Sequence, residues 1–409
     1  MPALAAVVFW VSLALILYVY AGYPVLLFVV GSCRGLFQRP PKRGALRSRI
    51  ARLPRVTLVI SAYNEEDVIR EKLINSLSLD YPRDRLEILV ASDGSTDRTA
   101  AIAAEYAGKG VRVRHFPDRR GKNGALNDVV PQARGEVIVF TDANGKYQRD
   151  ALRTLVGHFA DSQVGCVCGE LIYLSADDNV VARGYNIYWR YDQRLKRLES
   201  RLGCLLGANG SIFAIRKSLY QPLLGSVSND MVLPIQIAAR GYSVVYEPAA
   251  ISREAGSKDA PEELGRRSRI VGRGILGVRA VLPEVLRGGR ILLLWELVSR
   301  KFLRYCTPVF LGTLVLSSAV LGTGIYRWAL YAQGLFYGLA LLSAGLRRVG
   351  GRLPGLSLPH YFVLGNVAAA LGWWKVLTGR ELTKWETVAR TYDAQIPAAP
   401  DAGLTLTRR

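Results

Sequence analysis

Three groups of polar side chains in the first half of the sequence have types and positions suited to ligand binding. Each group directly follows a hydrophobic run: Tyr63, Asn64 and Glu65 in the first, Asp93 in the second, and Asp142 and Asn144 in the third. Carboxylate and amide oxygens suit Mg2+ or Mn2+, ions that typically bridge to substrate phosphates. The residues therefore point to a divalent metal ion and a diphosphate ligand. Helix caps and turns are the alternative, since the same residue types favour both.

Other motifs narrow the class of ligand. Lys122, in RRGKNGALN, adds a cation suited to a diphosphate. The first strand is not followed by G-x-G-x-x-G, which disfavours a dinucleotide, and the sequence has no P-loop motif. The five cysteines and three histidines lack the spacing of a zinc site, so we interpret the cysteines as reduced thiols in a core.

The elements that must position these groups alternate between strands and helices. RVTLVISA, LEILVASD, VRVRHF and EVIVFTD have the hydrophobicity of strands, and helix-like stretches such as 65–78 and GALNDVVPQA lie between them. Such alternation predicts a parallel sheet with right-handed crossovers. Ligands of these sheets bind beyond the carboxyl ends of the strands, where all three polar groups are expected.

The N-terminal segment predicts a membrane anchor. Residues 3–30 carry no charge and exceed the ~20 residues needed to cross a bilayer. A signal peptide is the alternative, but a basic n-region is lacking and the apolar run is too long. Basic residues follow the run, at Arg34, Arg39, Lys42, Arg43, Arg47 and Arg49. By the positive-inside rule we expect a transmembrane helix over 3–30 and a cytosolic catalytic domain over 54–257, in a multi-pass protein of the cytoplasmic (inner) membrane.

The C-terminal part predicts further membrane-associated segments. We expect amphipathic interface helices over 258–305, a transmembrane hairpin over 306–346, a third apolar stretch over 357–377 and a basic tail over 378–409. The third stretch either crosses the membrane against the charge rule or is re-entrant. Around position 270 one helical face carries Leu264, Val271, Ile275, Val278 and Leu282, and the other carries Arg266, Arg269 and Arg273. This pattern predicts a helix on the membrane surface with its arginines toward the catalytic domain, and a solvated basic face is the alternative.

The net charge of +21 suggests nucleic acid, anionic lipid or phosphate-bearing ligands. The positive charge is concentrated beside the apolar segments, as expected for contact with membrane lipids. The sequence has no zinc-finger spacing, RNP-like strand or basic zipper, so we do not expect a nucleic-acid partner.

The motifs, taken together, resemble a known family. VISAYNEEDVI, LVASDGSTDRT, GKNGALN and FTDAN, in that order, are similar to the nucleotide-binding half of the family 2 glycosyltransferases. GANGSIFAIR, SNDMVLPIQIAARGYSVVYEP and RRSRIVGRG extend the resemblance over about residues 55–305, and the membrane-embedded cellulose, chitin-like and hyaluronan-like synthases look most similar. The resemblance implies an α/β fold of the A-type glycosyltransferase class, Rossmann-like with a mostly parallel sheet, flanked by transmembrane helices at both ends.

The resemblance also implies an activity and roles for individual residues. The activity is inverting transfer of a sugar from a nucleotide-diphosphate donor, expected to be a UDP-sugar, to a glycan or lipid-linked acceptor in polysaccharide biosynthesis. Tyr63, Asn64, Glu65, Asp93 and Lys122 would bind the donor, Asp142 and Asn144 would hold Mg2+ or Mn2+, Asp230 would be the catalytic base, and Arg266 and Arg269 would lie near the donor phosphates. Asp230 also suits the chemistry, because an attacking hydroxyl must lose a proton. Its alternative role is that of a helix cap.

Three positions depart from the family motifs. Asn144 replaces the second Asp of Asp-x-Asp, which predicts weaker metal binding because an amide carries no charge. Asn229 replaces the Glu of Thr-Glu-Asp, next to the acceptor pocket. Ile270 replaces the Trp of Gln-x-x-Arg-Trp and cannot stack on an acceptor sugar as an aromatic ring would. We therefore expect one or a few sugars per acceptor, unless an export partner or an oligomer completes a channel.

Two other functions fit parts of the sequence. A polyprenyl-phosphate sugar transferase has an anionic acceptor that needs no base, so Asp230 would matter less. A transporter or scaffold with a nucleotide-sensing domain would use the first polar groups but would have no use for Asp230.

Overall fold

The centre of the molecule is one mixed β-sheet. The computed structural model describes residues 2–37, 53–174, 180–255, 260–348 and 355–383. The eight strands are β1 Val56–Ala62, β2 Leu86–Asp93, β3 Val111–Phe116, β4 Val137–Asp142, β5 Lys146–Tyr147, β6 Val164–Leu174, β7 Phe213–Arg216 and β8 Ser243–Ala255. Their order across the sheet is β3-β2-β1-β4-β7-β6-β8-β5.

The first four strands confirm the predicted parallel arrangement. β1 pairs in parallel with both β2 and β4, and β2 pairs in parallel with β3. Every residue of β1 is buried, as expected for a strand covered on both faces. The second half of the sheet is mixed, because β7 pairs antiparallel with β4 and β6. The α/β fold of the A-type glycosyltransferase class is thereby confirmed.

The helices divide into those on the sheet and those of the membrane-associated part. The first set is α3 Glu66–Leu77, α4 Thr99–Ala104, α5 Lys122–Gln132, α6 Ala151–Val156, α7 Val180–Arg201 and α8 Asn229–Ala239. The second set is α1 Pro2–Leu17, α2 Tyr23–Phe37, α9 Ala260–Arg287, α10 Ile291–Glu296, α11 Leu303–Leu321, α12 Gly324–Arg348 and α13 Ser357–Leu377. Two π-helical turns, Tyr18–Gly22 and Leu297–Phe302, join α1 to α2 and α10 to α11.

The membrane-associated helices share a hydrophobic core with the sheet. Leu27 of α2 and Leu293 and Leu297 of the α10 region belong to the same buried cluster as Phe140 of β4. Burial of a leucine side chain stabilises the folded state by ~1.5–3 kcal/mol. The Tyr23 hydroxyl also donates a 3.1 Å hydrogen bond to Glu199 of α7. The catalytic part and its anchor are therefore packed together rather than joined by a loose linker.

Among the described residues, three helical stretches are long and apolar enough to cross a membrane, by length and composition: Pro2–Cys33, Ile291–Leu321 and Gly324–Leu346. Large apolar side chains on them are exposed to the surroundings, for example Trp328 at 73% and Leu316 at 67%. The turn between the last two stretches lies at Gly322, earlier than the 326–328 region where the apolar runs of the sequence are interrupted. Residues 38–52 and 384–409, which include most of the basic residues after the first span and most of the basic tail, lie outside the described residues.

Helix α9 differs from the expected membrane-surface helix. Its arginine face is directed as predicted, since Arg273 is 9% exposed and donates to the Val227 carbonyl of the catalytic domain at 3.1 Å. Its apolar face is covered by protein, however, because Val278 packs in the core of the sheet and Val271 contacts Gly372 of α13. The prediction that this face lies on lipid is wrong at these two positions, because two other elements compete for it.

Candidate active site

The first two polar groups lie in the loops after β1 and β2, and hydrogen bonds connect these two loops. The Asn64 side chain accepts a 2.8 Å hydrogen bond from the backbone N–H of Thr96, and the Asn64 N–H donates to the Ser95 hydroxyl at 3.2 Å. Asn64 has a φ of 50°, in the left-handed region that Asn tolerates better than most residues. The N–H of Glu65 donates to the Thr99 hydroxyl at 2.7 Å. The loops after β1 and β2 are therefore held in one arrangement, and part of the Asn64 side chain is used for this.

The Asp93 side chain has one buried carboxylate oxygen that accepts no hydrogen bond in the described part of the chain. Its side chain is 1% exposed, and Oδ1 accepts a 2.7 Å hydrogen bond from the Arg120 N–H. Oδ2 has no hydrogen-bond partner among the described residues. Burial raises the pKa of Asp93, against the backbone N–H groups that stabilise its charge. An unpaired buried acceptor is costly, so Oδ2 suits a donor group of a ligand.

Arg119 lies beside this oxygen. Its guanidinium stacks on the Tyr63 ring at 3.8 Å from the centroid, and its buried Nη2 has no hydrogen-bond partner in the described part of the chain. Backbone atoms of Arg119 lie where a Cβ on Gly94 would be, at 2.7 Å, so only glycine fits there. Asp93, at the end of β2, and Arg119, in the segment after β3, therefore bring an acceptor and a donor to one place, next to an aromatic ring.

Asp142 and Asn144 lie in a tight turn at the end of β4. The Gly145 N–H donates to the Asp142 carbonyl at 3.3 Å, which closes the turn. The Asp142 carboxylate forms an ion pair with Lys122, which is the first residue of α5. Lys122 and Asp142, both of which are predicted to bind the donor, thus lie next to each other.

The oxygen ligands that Asp142 and Asn144 offer fit a divalent metal ion that takes its remaining ligands from a substrate. A carboxylate and an amide oxygen are hard ligands of the kind that Mg2+ and Mn2+ prefer. Within the described residues, no group of three or more His, Cys, Asp or Glu side chains that could hold a metal is found. A complete protein cage is therefore lacking there, as expected for an ion that bridges to phosphates.

The buried side chain of Lys72 contacts the turn that contains Asp142 and Asn144. Lys72 of α3 is 1% exposed, donates to Thr141 Oγ1 at 2.7 Å and also donates to the Gly145 carbonyl. Its ammonium lies 4.5 Å from the centre of the Tyr147 ring. Burial lowers the pKa of Lys72 to about 7, and the charges of Glu254 and Asp142 oppose that shift. Lys72 therefore fixes the backbone on both sides of Asp142 and Asn144.

Asp230 lies in the first turn of α8 and is not its cap. The helix begins at Asn229, and the residue at the cap position is Ser228. The Ser228 hydroxyl donates to Asp230 Oδ1 at 2.5 Å and so orients the carboxylate. The alternative role of Asp230 as a helix cap is therefore not observed. The neighbouring Asn229 is buried, at 4% exposure.

The carboxylates of Asp142 and Asp230 converge on Gly210. A Cβ at Gly210 would lie 3.2 Å from Asp230 Oδ2 and 3.8 Å from Asp142 Oδ2. Gly210 leaves this space open between them. It opens into a cavity of about 370 Å³ that is lined by Asp230 and by residues of the membrane-associated helices. Residues from distant parts of the sequence thus surround one space large enough for a small ligand.

Comparison with known proteins identifies this arrangement. Residues 57–224 match the family model described as "Glycosyl transferase family 2". This segment is similar to family 2 glycosyltransferase domains. It contains the ends of β1, β2 and β4 and Gly210, and Asp230 lies just beyond it.

Relatives of the glycosyltransferase domain include enzymes with different products. "Probable glycosyltransferase YdaM" of Bacillus subtilis is 33% identical over 224 residues, which are 51% of this chain and 52% of that protein. "Poly-beta-1,6-N-acetyl-D-glucosamine synthase" of Staphylococcus aureus is 25% identical over 56% of this chain and 58% of its own. "Beta-monoglucosyldiacylglycerol synthase" of Nostoc sp. is 33% identical over 41% of this chain and 37% of its own. The chain spans about half the length, or less, of these relatives.

One solved structure shares most of the fold. A mannosyltransferase from Pyrobaculum calidifontis, described in complex with GDP-Man and Mn2+, superposes with a TM-score of 0.68 and 24% sequence identity. The superposition covers 91% of this chain and 100% of that one, so it includes membrane-associated helices as well as the glycosyltransferase domain.

The two predicted arginines, Arg266 and Arg269, lie on α9. Arg266 lines the cavity and pairs with Glu263 at 2.8 Å, and it donates to the Tyr173 hydroxyl at 3.2 Å. Arg269 is close enough to Arg273 to lower the pKa of that guanidinium, although burial of Arg273 is the larger cause. Ile270, at the position of the family's tryptophan, is 48% exposed and also lines the cavity.

Sequence reasoning missed three residues of the glycosyltransferase domain. Lys72 looked like an ordinary exposed helix residue, and only the packing of α3 on β5 shows that it is buried. Arg119 was one of several basic residues in an irregular stretch. Gly210 lies within GANGSIFAIR, the segment that carried the family resemblance, but its use becomes visible only through the two carboxylates around it.

Proposed function

We propose that this chain is an inverting glycosyltransferase that moves a sugar from a nucleotide-diphosphate donor to a hydroxyl of an acceptor at the membrane. The observation that carries the proposal is the convergence of Asp142 and Asp230 on Gly210. A nucleotide-binding sensor needs the first carboxylate but has no use for the second. The relatives named as a polysaccharide synthase and a glycolipid synthase support a sugar transfer at a membrane.

The nucleoside half of the donor would bind at the loops after β1 and β2, next to Arg119. Asp93 Oδ2 offers an acceptor for base or ribose donors, and Arg119 Nη2 offers a donor. The Tyr63 ring, already stacked with Arg119, lies at the same place. A UDP-sugar is the proposed donor.

The diphosphate would lie over the end of β4. Asp142 and Asn144 would hold Mg2+ or Mn2+, which stabilises the negative charge of the departing diphosphate. Lys122 would provide a second positive charge and would be released from its ion pair with Asp142 as the phosphates bind. Lys72 would keep the turn in place meanwhile, through Thr141 and the Gly145 carbonyl.

Asp230 would remove the proton of the attacking hydroxyl. Inversion requires attack on the sugar carbon from the face opposite the leaving diphosphate, so base and diphosphate must lie on opposite sides of the sugar. The space at Gly210 lies between Asp142 and Asp230 and suits that arrangement. The hydrogen bond from Ser228 leaves Oδ2 of Asp230 directed toward this space.

The proposal is tested with purified full-length protein in lipid and a panel of nucleotide sugars, by measuring released nucleoside diphosphate. Asp230→Asn should lower turnover by ~10²–10⁴-fold, because a general base contributes that much. Nucleotide binding should stay nearly unchanged, because Asp230 touches no donor phosphate in the proposed arrangement. Ser228→Ala is the matched variant, which keeps the carboxylate and should lose far less.

Two results would contradict the proposal. Loss of nucleotide binding in proportion to turnover would make Asp230 a structural residue. Full turnover of Asp230→Asn would favour an acceptor that is already an anion, such as a polyprenyl phosphate, which needs no base.

A further inference from the structure

The cavity beyond Asp230 differs in chemistry from the donor site. Its lining includes six basic and three acidic side chains: Lys196, Arg266, Arg267, Arg300, Lys301 and Arg304, with Asp192, Glu199 and Asp230. Two of the basic side chains, Arg266 and Arg267, pair with Glu263 outside the lining, and an excess of positive charge remains. A neutral sugar chain has no use for such charge.

Most of the acidic charge in the lining is already balanced. Arg300 pairs with Asp192 at 2.6 Å and with Glu199 at 2.9 Å, and Lys196 lies 3.6 Å from Asp192. Asp230 is held by Ser228. These contacts leave the acidic groups committed to partners within the protein.

Lys301 differs from the groups that these contacts pair with one another. No hydrogen bond or ion pair involving its ammonium is found within the described ranges of the chain. Its Nζ lies 3.2 Å from the Cβ position of Gly207, at the loop that leads to Gly210. A lysine in a cavity wall is costly unless an anion compensates it.

Two unusual backbone segments face this cavity. The π-helical turn Tyr18–Gly22 contributes Tyr20 to the lining, and the π-helical turn Leu297–Phe302 contributes Lys301. π-Helical turns are rare and are frequently found at functional sites. Both π-helical turns that the described residues contain thus bring a side chain to the same space.

The membrane-associated helices contribute apolar side chains to the same lining. Phe362 and Ala369 of α13 line the cavity, together with Tyr20, whose ring lies 5.3 Å from that of Phe362. Ile270 adds a partly exposed aliphatic side chain. The cavity therefore combines a carboxylate, basic groups and apolar residues in one lining.

We infer that the cavity binds the headgroup of an anionic lipid that carries a free hydroxyl, and that this lipid is the acceptor. The hydroxyl lies toward Asp230, the phosphate lies against Lys301, and the apolar chains lie along Phe362 and Ala369 of α13. The inference deepens the proposed function and rests on it for the role of Asp230. Binding at Lys301 does not depend on that role.

The test measures lipid binding without any nucleotide sugar, so it can fail or succeed independently of the proposed transfer. The full chain in a neutral detergent is titrated with dihexanoyl-phosphatidylglycerol, dihexanoyl-glycerol or glycerol 3-phosphate, and bound ligand is measured by native mass spectrometry. The first probe has the anion and the chains, the second lacks the anion, and the third lacks the chains. We expect the first to bind at least tenfold more tightly than either of the others.

Lys301→Gln should weaken binding of the anionic lipid by about tenfold or more, as expected when a charge-assisted hydrogen bond is lost. Lys301→Arg, which keeps the charge, should bind within about threefold of the wild type and shows that the position tolerates substitution. Arg287→Gln is the matched control, because Arg287 is exposed near the end of α9 and is not part of the lining. It should bind like the wild type.

Three outcomes would overturn the inference. Equal binding of the neutral lipid, unchanged in Lys301→Gln, would show that the phosphate is not recognised. Equal binding of glycerol 3-phosphate would show a site for a free anion and not for a lipid. An equal loss in Arg287→Gln would show general attraction of the basic surface for anionic lipid.

Discussion

At the scale of single residues, the proposed metal site has less negative charge than a pair of aspartates would give. Asn144 supplies an amide oxygen, and the Asp142 carboxylate is already paired with Lys122. Lys72 adds a further basic group behind the turn. A divalent ion would therefore depend strongly on the charge of the donor diphosphate. This explains how an asparagine fits a position where the family has an aspartate.

Asn144→Asp should strengthen metal binding, because it adds a negative ligand. We expect the Mg2+ or Mn2+ concentration for half-maximal turnover to fall by roughly tenfold. The measurement is a metal titration of nucleoside diphosphate release, with Gln163→Glu as a control that adds a negative charge at an exposed position outside the metal turn. Identical metal curves for wild type and Asn144→Asp would show that position 144 is not a ligand, and full turnover in excess chelator would remove the metal from the mechanism.

Glu170 gives a prediction for the pH dependence of stability. Burial raises its pKa to about 7, and the charges of Lys196 and Arg197 only partly oppose this. The folded state therefore holds the proton more tightly than the unfolded state, whose pKa is about 4.3. Stability contributed by this group is full below about pH 4.3 and falls as the pH rises to about 7.

Glu170→Gln cannot titrate and should be more stable than the wild type above pH 7, by up to about 3 kcal/mol. The gain should shrink as the pH falls toward 4.3. Thermal unfolding of the detergent-solubilised chain between pH 5 and 8 measures it, and Glu105→Gln serves as a control because Glu105 is about half exposed in its pair with Arg70. A stability difference that does not change with pH would argue against the raised pKa.

At the scale of elements, the contact between α9 and α13 holds one wall of the cavity. Lys375 of α13 donates to the Ser268 hydroxyl of α9 at 2.7 Å. A Cβ at Gly372 would lie 2.9 Å from a methyl carbon of Val271 and 3.1 Å from the Gly272 nitrogen. The two helices therefore approach at glycines, and this approach explains why α9 tolerates residues that normally weaken a helix.

Gly372→Ala should destabilise the chain by about 1–3 kcal/mol, because backbone atoms of α9 occupy the space of the new methyl group. Gly265→Ala is the matched control on the exposed side of α9, where nothing lies within 4 Å of the Cβ position. It should stabilise the helix by about 0.5–1 kcal/mol. Thermal unfolding of both variants in detergent decides the point, and equal effects of the two substitutions would mean that the helices do not pack as closely as described.

At the scale of the whole molecule, the candidate active site lies where the sheet and its helices pack against the membrane-associated helices. Leu27, Leu297 and Phe140 share one core, so the site and the anchor are mechanically joined. The described residues include three stretches long and apolar enough to cross a membrane, and the cavity reaches Tyr20 in the first of them. This arrangement suits an acceptor that reaches the site from the membrane more than a polymer that must be exported through a pore.

The product of the purified chain should therefore be short, with one or a few sugars per acceptor. Ile270 provides no aromatic ring to hold a growing chain, where stacking is worth ~0.5–1.5 kcal/mol beyond burial. Product separated by size at successive times should form a short ladder. A polymer of high molecular weight at early times, without intermediates, would contradict this and would point to a channel completed by an oligomer or a partner.

The sequence by itself determined the parts of this protein that depend on local order along the chain. Hydrophobic runs such as EVIVFTD predicted buried parallel strands, because a strand covered on both faces needs continuous apolar residues. The same runs predicted that Asp93 and Asp142 would come to one edge, since parallel strands end on the same side. The roles predicted for Lys122 and Asp230 came from the resemblance of their motifs to the family, and they stay predictions.

Tertiary structure decided what depends on elements that are far apart in the sequence. Packing places β7 antiparallel in the sheet and buries Lys72. It also brings Asp142 and Asp230 together at Gly210. The local sequence pattern does not predict these three features. The apolar face of α9 looked ready for lipid, but protein covers Val271 and Val278. An apolar surface is buried by whichever neighbour reaches it, and only the folded chain shows which neighbour that is.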